Sequence, residues 1–251
     1  MNLRSIGVGM IAMILLAAVS TAQAQTPAAA ATESPWSAEV GVGWDNSISG
    51  LINSSASGVI RDQAVVVTKN TYEDVYGRGL HLRFGGGYRL NDATEARVTF
   101  TFQSLTADQA APLGGIGISN LYGKYTDYQT FGLDVGLRRY RDVSPNVSLY
   151  GEGTVGLGFV DKIDLTLVAP GANVPGSVNA FYDRTTAFAL GGSAGVLVQT
   201  GSQVGIFGQL GLRYMTGLSE IDDLEGSGLE TINDKSSRWT LPLVVGIRFN
   251  F

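Results

Sequence analysis

The chain has 251 residues, 44% of them hydrophobic and only 16% charged, with 34 glycines, no cysteine and a net charge of −5. That apolar content excludes a disordered chain, and the acidic balance excludes a nucleic-acid partner, which needs a basic face. The lack of cysteine removes disulfide scaffolds, thiolate metal sites and thiol nucleophiles together.

Residues 1–24 read as a secretory signal peptide. Arg4 gives a positive start, an uncharged apolar run spans Ile6 to Val19, and Ala22-Gln23-Ala24 supplies small-residue cleavage positions. The run is shorter than the roughly 20 residues of a spanning helix. Residues 25–35 read as a flexible lead-in, and 36–251 as one domain.

From Trp36 onward, apolar residues recur at every second position, which predicts strands with one apolar face. Eight runs follow in chain order. The first sets Val40, Val42 and Trp44 against Glu39, Gly41 and Asp45, and the second sets Phe84 and Tyr88 against His81, Arg83 and Arg89. In the third, Val98, Phe100 and Phe102 oppose Glu95, Arg97 and Gln103; in the fourth, Val135 and Leu137 oppose Asp134 and Arg138. The fifth sets Val155 and Phe159 against Tyr150 and Glu152, and the sixth sets Leu190, Val196 and Val198 against Gly191 and Ser193. The seventh has Leu210 and Tyr214 opposite Gln209 and Arg213; the last has Trp239, Ile247 and Phe249 opposite Arg238, Thr240 and Arg248.

Short turns at Asn91–Ala93, Asp142–Asn146 and Thr200–Ser202 alternate with long connections at roughly 48–75, 107–124, 162–184 and 218–236. An even strand count with all long loops at one end predicts an all-β fold: an eight-stranded antiparallel up-and-down transmembrane β-barrel. Its turns face the periplasm and its loops lie outside the cell. Within the first loop, Ala64–Thr68 predicts either a hairpin above the membrane or an extra strand pair.

A soluble barrel would turn its apolar face inward around a ligand. Three features oppose that. Lys69, Lys124, Lys162 and Lys235 all fall in loops, leaving a polar face of Gly, Thr and Arg suited to a narrow lumen. The mid-strand charges share one face, and a charge on the lipid face would cost about 2–4 kcal/mol at the midplane. Aromatics gather at strand ends, with Trp44, Tyr76, Phe102, Phe159, Tyr214 and Trp239 toward the loops and Trp36, Tyr88 and Phe249 toward the turns. They predict two interfacial girdles.

The inward charges predict a buried ion-pair network of Glu39, Arg83, Arg89, Glu95, Arg97, Asp134, Arg138, Glu152, Arg213 and Arg248. It is expected to act as a plug, with a narrow ion path as the competing reading. His81, the single histidine, has no acid or nucleophile near it in sequence and is expected to be a satisfied lumen residue. Glu220, Asp222, Asp223, Glu225, Glu230 and Asp234 have the oxygen density of a divalent-cation site without the spacing of one, so a solvated loop is expected. No catalytic, cofactor or metal site is expected.

The signal peptide, the eight alternating runs and the final Val245-Gly246-Ile247-Arg248-Phe249-Asn250-Phe251 resemble the small outer-membrane β-barrel superfamily of OmpA and OmpX type, with OmpW the weaker match. The resemblance implies an outer-membrane location among lipid and lipopolysaccharide. It also implies that Phe251 is the closing-strand signal read by the barrel-assembly machinery. No peptidoglycan-binding domain follows the eighth strand, so the wall-tethering role of full-length OmpA is not implied. The implied role is non-enzymatic: envelope integrity, or surface interaction through the loops. A small porin-like channel is the first alternative and an envelope hydrolase the second.

Overall fold

The computed structural model describes residues 34–60, 62–107, 109–170, 178–220, 226–234 and 236–251. The expected signal peptide, nearly all of the lead-in, and the loop residues Asp222, Asp223, Glu225 and Lys235 lie outside the described residues. In chain order the elements are β1 (Trp36–Ser49), β2 (Leu51–Asn53), β3 (Ala56–Ile60), β4 (Gln63–Val67), β5 (Asn70–Thr71) and helix α1 (Tyr72–Val75). There follow β6 (Gly79–Asn91), β7 (Thr94–Leu105), β8 (Ala111–Ile116), β9 (Ser119–Tyr125), β10 (Tyr128–Ser144) and β11 (Val147–Val160). The last are β12 (Ile163–Val168), β13 (Val178–Tyr182), β14 (Thr185–Gln199), β15 (Val204–Met215) and β16 (Arg238–Asn250).

Eight of these strands close into an antiparallel barrel in the order β1-β16-β15-β14-β11-β10-β7-β6. The seam pairs Val40 with Ile247 and Ala38 with Phe249, and the Phe251 amide donates to the Trp36 carbonyl. The barrel is inverted relative to a soluble protein. Glu39, Arg97, Asp134 and Arg138 are buried in the lumen, while Val42, Phe84, Phe100, Val135, Phe188 and Leu210 stand exposed on the outer wall. Each Val, Leu or Phe left in water forgoes about 1.5–3 kcal/mol of burial. A wall of them around a whole cylinder is stable only against hydrocarbon. With 12 to 17 residues in β7 and β10, strands exceed the roughly 9–11 needed to span.

The long loops fold on their own account. β13, β12, β9, β8, β4 and β3 form a six-stranded sheet beyond the barrel mouth, and β2 pairs with β5 beneath it. The β3–β4 hairpin resolves the expectation at Ala64–Thr68: it stands outside the barrel wall and joins this sheet through β8. One face of the sheet presents Val65, Val67, Leu113, Leu121 and Leu165 to a core closed by Ile52, Phe181 and Leu229. Helix α1 begins with a capping box. Thr71 Oγ1 accepts from the Asp74 amide at 3.2 Å, and Asp74 accepts from the Thr71 amide at 2.7 Å. This sets Tyr72 and Tyr76 against Tyr128 at the mouth. Tyr76 was expected in the loop-end girdle; it is buried in the cap core instead, because α1 turns it inward. Val198, expected on the outer face, is likewise buried, with Leu197 beside it on the lumen side.

Candidate functional site in the barrel lumen

Alternation points one side chain in two into the lumen, and six strands bring their charges there to one level. Glu39 on β1, Glu95 on β7 and Glu152 on β11 meet Arg83, Arg97, Arg138 and Arg248. Arg138 is at the centre, wholly buried. Its Nη1 lies 2.5 Å from Glu39 Oε1 and its Nη2 lies 2.6 Å from Glu152 Oε2. Arg97 spans Glu39 at 2.7 Å and Glu95 at 2.6 Å, while Arg83 holds Glu152 and Arg248 holds Glu95, each at 2.5 Å. Tyr140 closes the ring of contacts, accepting from Arg248 at 2.6 Å and donating to Glu95 at 3.2 Å. The Tyr150 ring lies 4.1 Å from the Arg138 guanidinium.

Glycine makes room for this crowding. A Cβ on Gly87 would fall 1.9 Å from Glu95 Oε1. Beside the charges, Phe207, Leu197, Val244 and Tyr150 pack as a small apolar cluster inside the barrel. The charged side chains of this level are buried and each has at least one oppositely charged partner. Desolvation makes such a cluster a poor source of net stability, but it leaves each member costly to remove.

Nearer the mouth the pairing is looser. Arg213 meets Asp134 at 2.6 Å. Gln103 bridges Asp45 to Arg238, and Arg238 lies over the Tyr128 ring at 4.1 Å, with Tyr72 at 5.4 Å. His81 Nδ1 is 3.9 Å from Asp45 Oδ2 and makes no hydrogen bond. The expectation of a satisfied histidine is thus corrected, because an acid four strand positions past Gly41, remote in sequence, sits beside it across the β1–β6 ladder. Both residues are buried in the lumen.

The other predicted residues are placed as follows. Arg89 lies on the lumen phase at the turn rim of β6 and is exposed there, outside the buried network. Trp36, Trp44, Tyr88, Phe159, Trp239 and Phe249 stand exposed on the outer wall; Phe102 and Tyr214 are half-buried there, Tyr214 against Trp239 and Phe102 against Phe131. Phe251 is exposed at the seam. Arg238 and Gln103, read on the inner face but outside the ion-pair network, belong to the lumen filling, as do Tyr140 and Phe207, which the alternation did not assign. For Phe207 the signal was absent: the doublet Ile206-Phe207 breaks the alternation and leaves its phase undefined. Among the described residues no three His, Cys, Asp or Glu side chains converge as metal ligands.

A closed eight-stranded antiparallel barrel, apolar without and charged within, is an outer-membrane barrel fold. No family model and no curated protein matches the chain. Among solved structures it is similar to Neisserial surface protein A, at 14% identity over 88% of this chain and 100% of that one, with a TM-score of 0.47. It is also similar to the outer membrane protease OmpT from Escherichia coli (8% identity, 89% and 99% covered, TM-score 0.40). A third is the outer membrane protein OprG from Pseudomonas aeruginosa (10% identity, 87% and 97% covered, TM-score 0.39).

Proposed function

We propose that the protein is a non-enzymatic, non-conducting barrel of the cell outer membrane, exported by its signal peptide and inserted with Phe251 as its assembly signal. Its role in envelope integrity or surface interaction is exercised by the folded cap. The observation that carries this reading is the filled lumen: Arg138 and its carboxylates interlock across the bore, an apolar cluster packs beside them, and a sheet with its own core lies beyond the mouth. The cap is a rigid surface outside the membrane, which is where binding on such scaffolds resides. The His81–Asp45 neighbours give no purchase for an envelope hydrolase, since both are buried and the histidine Nδ1, 3.9 Å from the acid, makes no hydrogen bond to it.

Single-channel recording of the refolded chain in a planar bilayer tests the reading. No steady conductance is expected. A stable open level that changes with Arg83→Gln or Glu152→Gln would instead favour the narrow ion path.

A further inference from the structure

The barrel carries glycines of two kinds. Those facing the lumen are forced by space: a Cβ on Gly41 would lie 2.7 Å from Val244 Cγ1, and one on Gly246 would lie 2.2 Å from the Val40 carbonyl. Gly86, Gly151, Gly153 and Gly192 point outward. A Cβ on Gly153 would meet nothing within 4 Å, and on the other three the first neighbour is a carbonyl oxygen at 3.9–4.0 Å. Packing within the barrel does not require glycine at these four positions, and a strand gains packing from almost any larger side chain.

The ladder gathers three of them on one part of the wall. Gly153 pairs with Gly192 and with Leu137, and Gly151 pairs with Ala194 and with Arg139. Leu137 pairs with Ala96, which pairs with Tyr88; Gly86 lies one outward position nearer the mouth than Tyr88. Two of the four, Gly86 and Gly153, line an open apolar groove of about 1000 Å³, bounded by Trp36 and Tyr88 on one flank and Leu190 on the other. The two aromatic rings meet edge to face at 4.8 Å. At its turn end stands Arg139, with Arg141 one outward position further along β10. Both are exposed, and neither has a carboxylate partner among the described residues.

Two unpaired guanidiniums on the outward phase of an apolar wall are stable at the headgroup level, where they meet phosphate. A second copy of the chain fits badly, since a two-fold contact would oppose two hollows and bring like charges together. We infer that the groove binds one anionic glycerophospholipid of the turn-side leaflet, its acyl chain over Gly86 and Gly153 and its phosphodiester on Arg139 and Arg141. This rests on the membrane-spanning reading given above.

The full chain, refolded into vesicles of equal phosphatidylglycerol and phosphatidylcholine and released gently for native mass spectrometry, reports the lipid it keeps. Roughly thirtyfold enrichment of phosphatidylglycerol is expected from two arginines near the surface. R139Q/R141Q should bring the ratio to about one, while R139K keeps most of it. Gly153→Leu, which has room on this backbone, should fill the groove and release bound lipid while the folded band on a gel is unchanged. Equal retention of the two lipids, or enrichment that survives R139Q/R141Q, would overturn the inference and leave the barrel reading standing. A chain that never enters the vesicles would sink both.

Discussion

Arg138 has no surface of its own to offer solvent, and both carboxylates it touches are as deeply buried. Truncating it strands Glu39 and Glu152 together without their shared cation. Arg138→Ala is therefore expected to cost about 3–5 kcal/mol, read as a lower urea midpoint for the refolded protein in vesicles. Loss of less than about 1 kcal/mol would mean that Arg97 and Arg83 hold the two carboxylates unaided. At this scale the sequence shows direction but not partnership. Alternation puts Glu39, Arg97 and Arg138 on the inner face, yet their meeting depends on the stagger of six strands, which no local pattern encodes. Arg139 escapes the same reading because β10 continues to Ser144, beyond the apolar run that defines its phase.

Among the elements, the eight long strands are legible because each repeats its apolar phase many times over. The cap strands are not. β3, β4 and β13 have five residues each, and the six-stranded sheet assembles strands from separate loops whose pairing depends on the barrel beneath. The cap has its own chemistry as well. Burial holds the Tyr72 and Tyr125 hydroxyls well above the usual tyrosine value of 10.0, and raises those of Tyr76 and Tyr182. A hydroxyl whose folded value lies above its unfolded one contributes stability that is whole below about pH 10. Above that, the unfolded chain sheds protons the folded cap retains, and the contribution falls by about 1.4 kcal/mol per pH unit for each tyrosine. The cap is expected to open above about pH 10 while the barrel persists. Tyrosinate absorbance rising in one cooperative step, with the compact gel band retained, would show this; gradual titration from pH 9 would contradict it.

For the molecule as a whole, the polar lumen and the apolar cap core are separate structures joined at the mouth by Arg238 against Tyr128 and Tyr72. They need not form together. Refolding into lipid is expected to give a protease-resistant barrel while the 56–68 hairpin is still cleaved, with protection there arriving in a later phase. Simultaneous protection of both would refute that order.

The six cap strands come from three different crossings of the bilayer, since β3 and β4 follow β1, β8 and β9 follow β7, and β12 and β13 follow β11. All three segments must therefore lie on the same side of the bilayer before the sheet can assemble, and the last of them, β13, precedes β14. The sheet is in this sense a record of threading as far as β13: a chain whose loops are still divided between the two sides cannot display it, and a ligand that recognises the assembled sheet recognises only molecules past that stage.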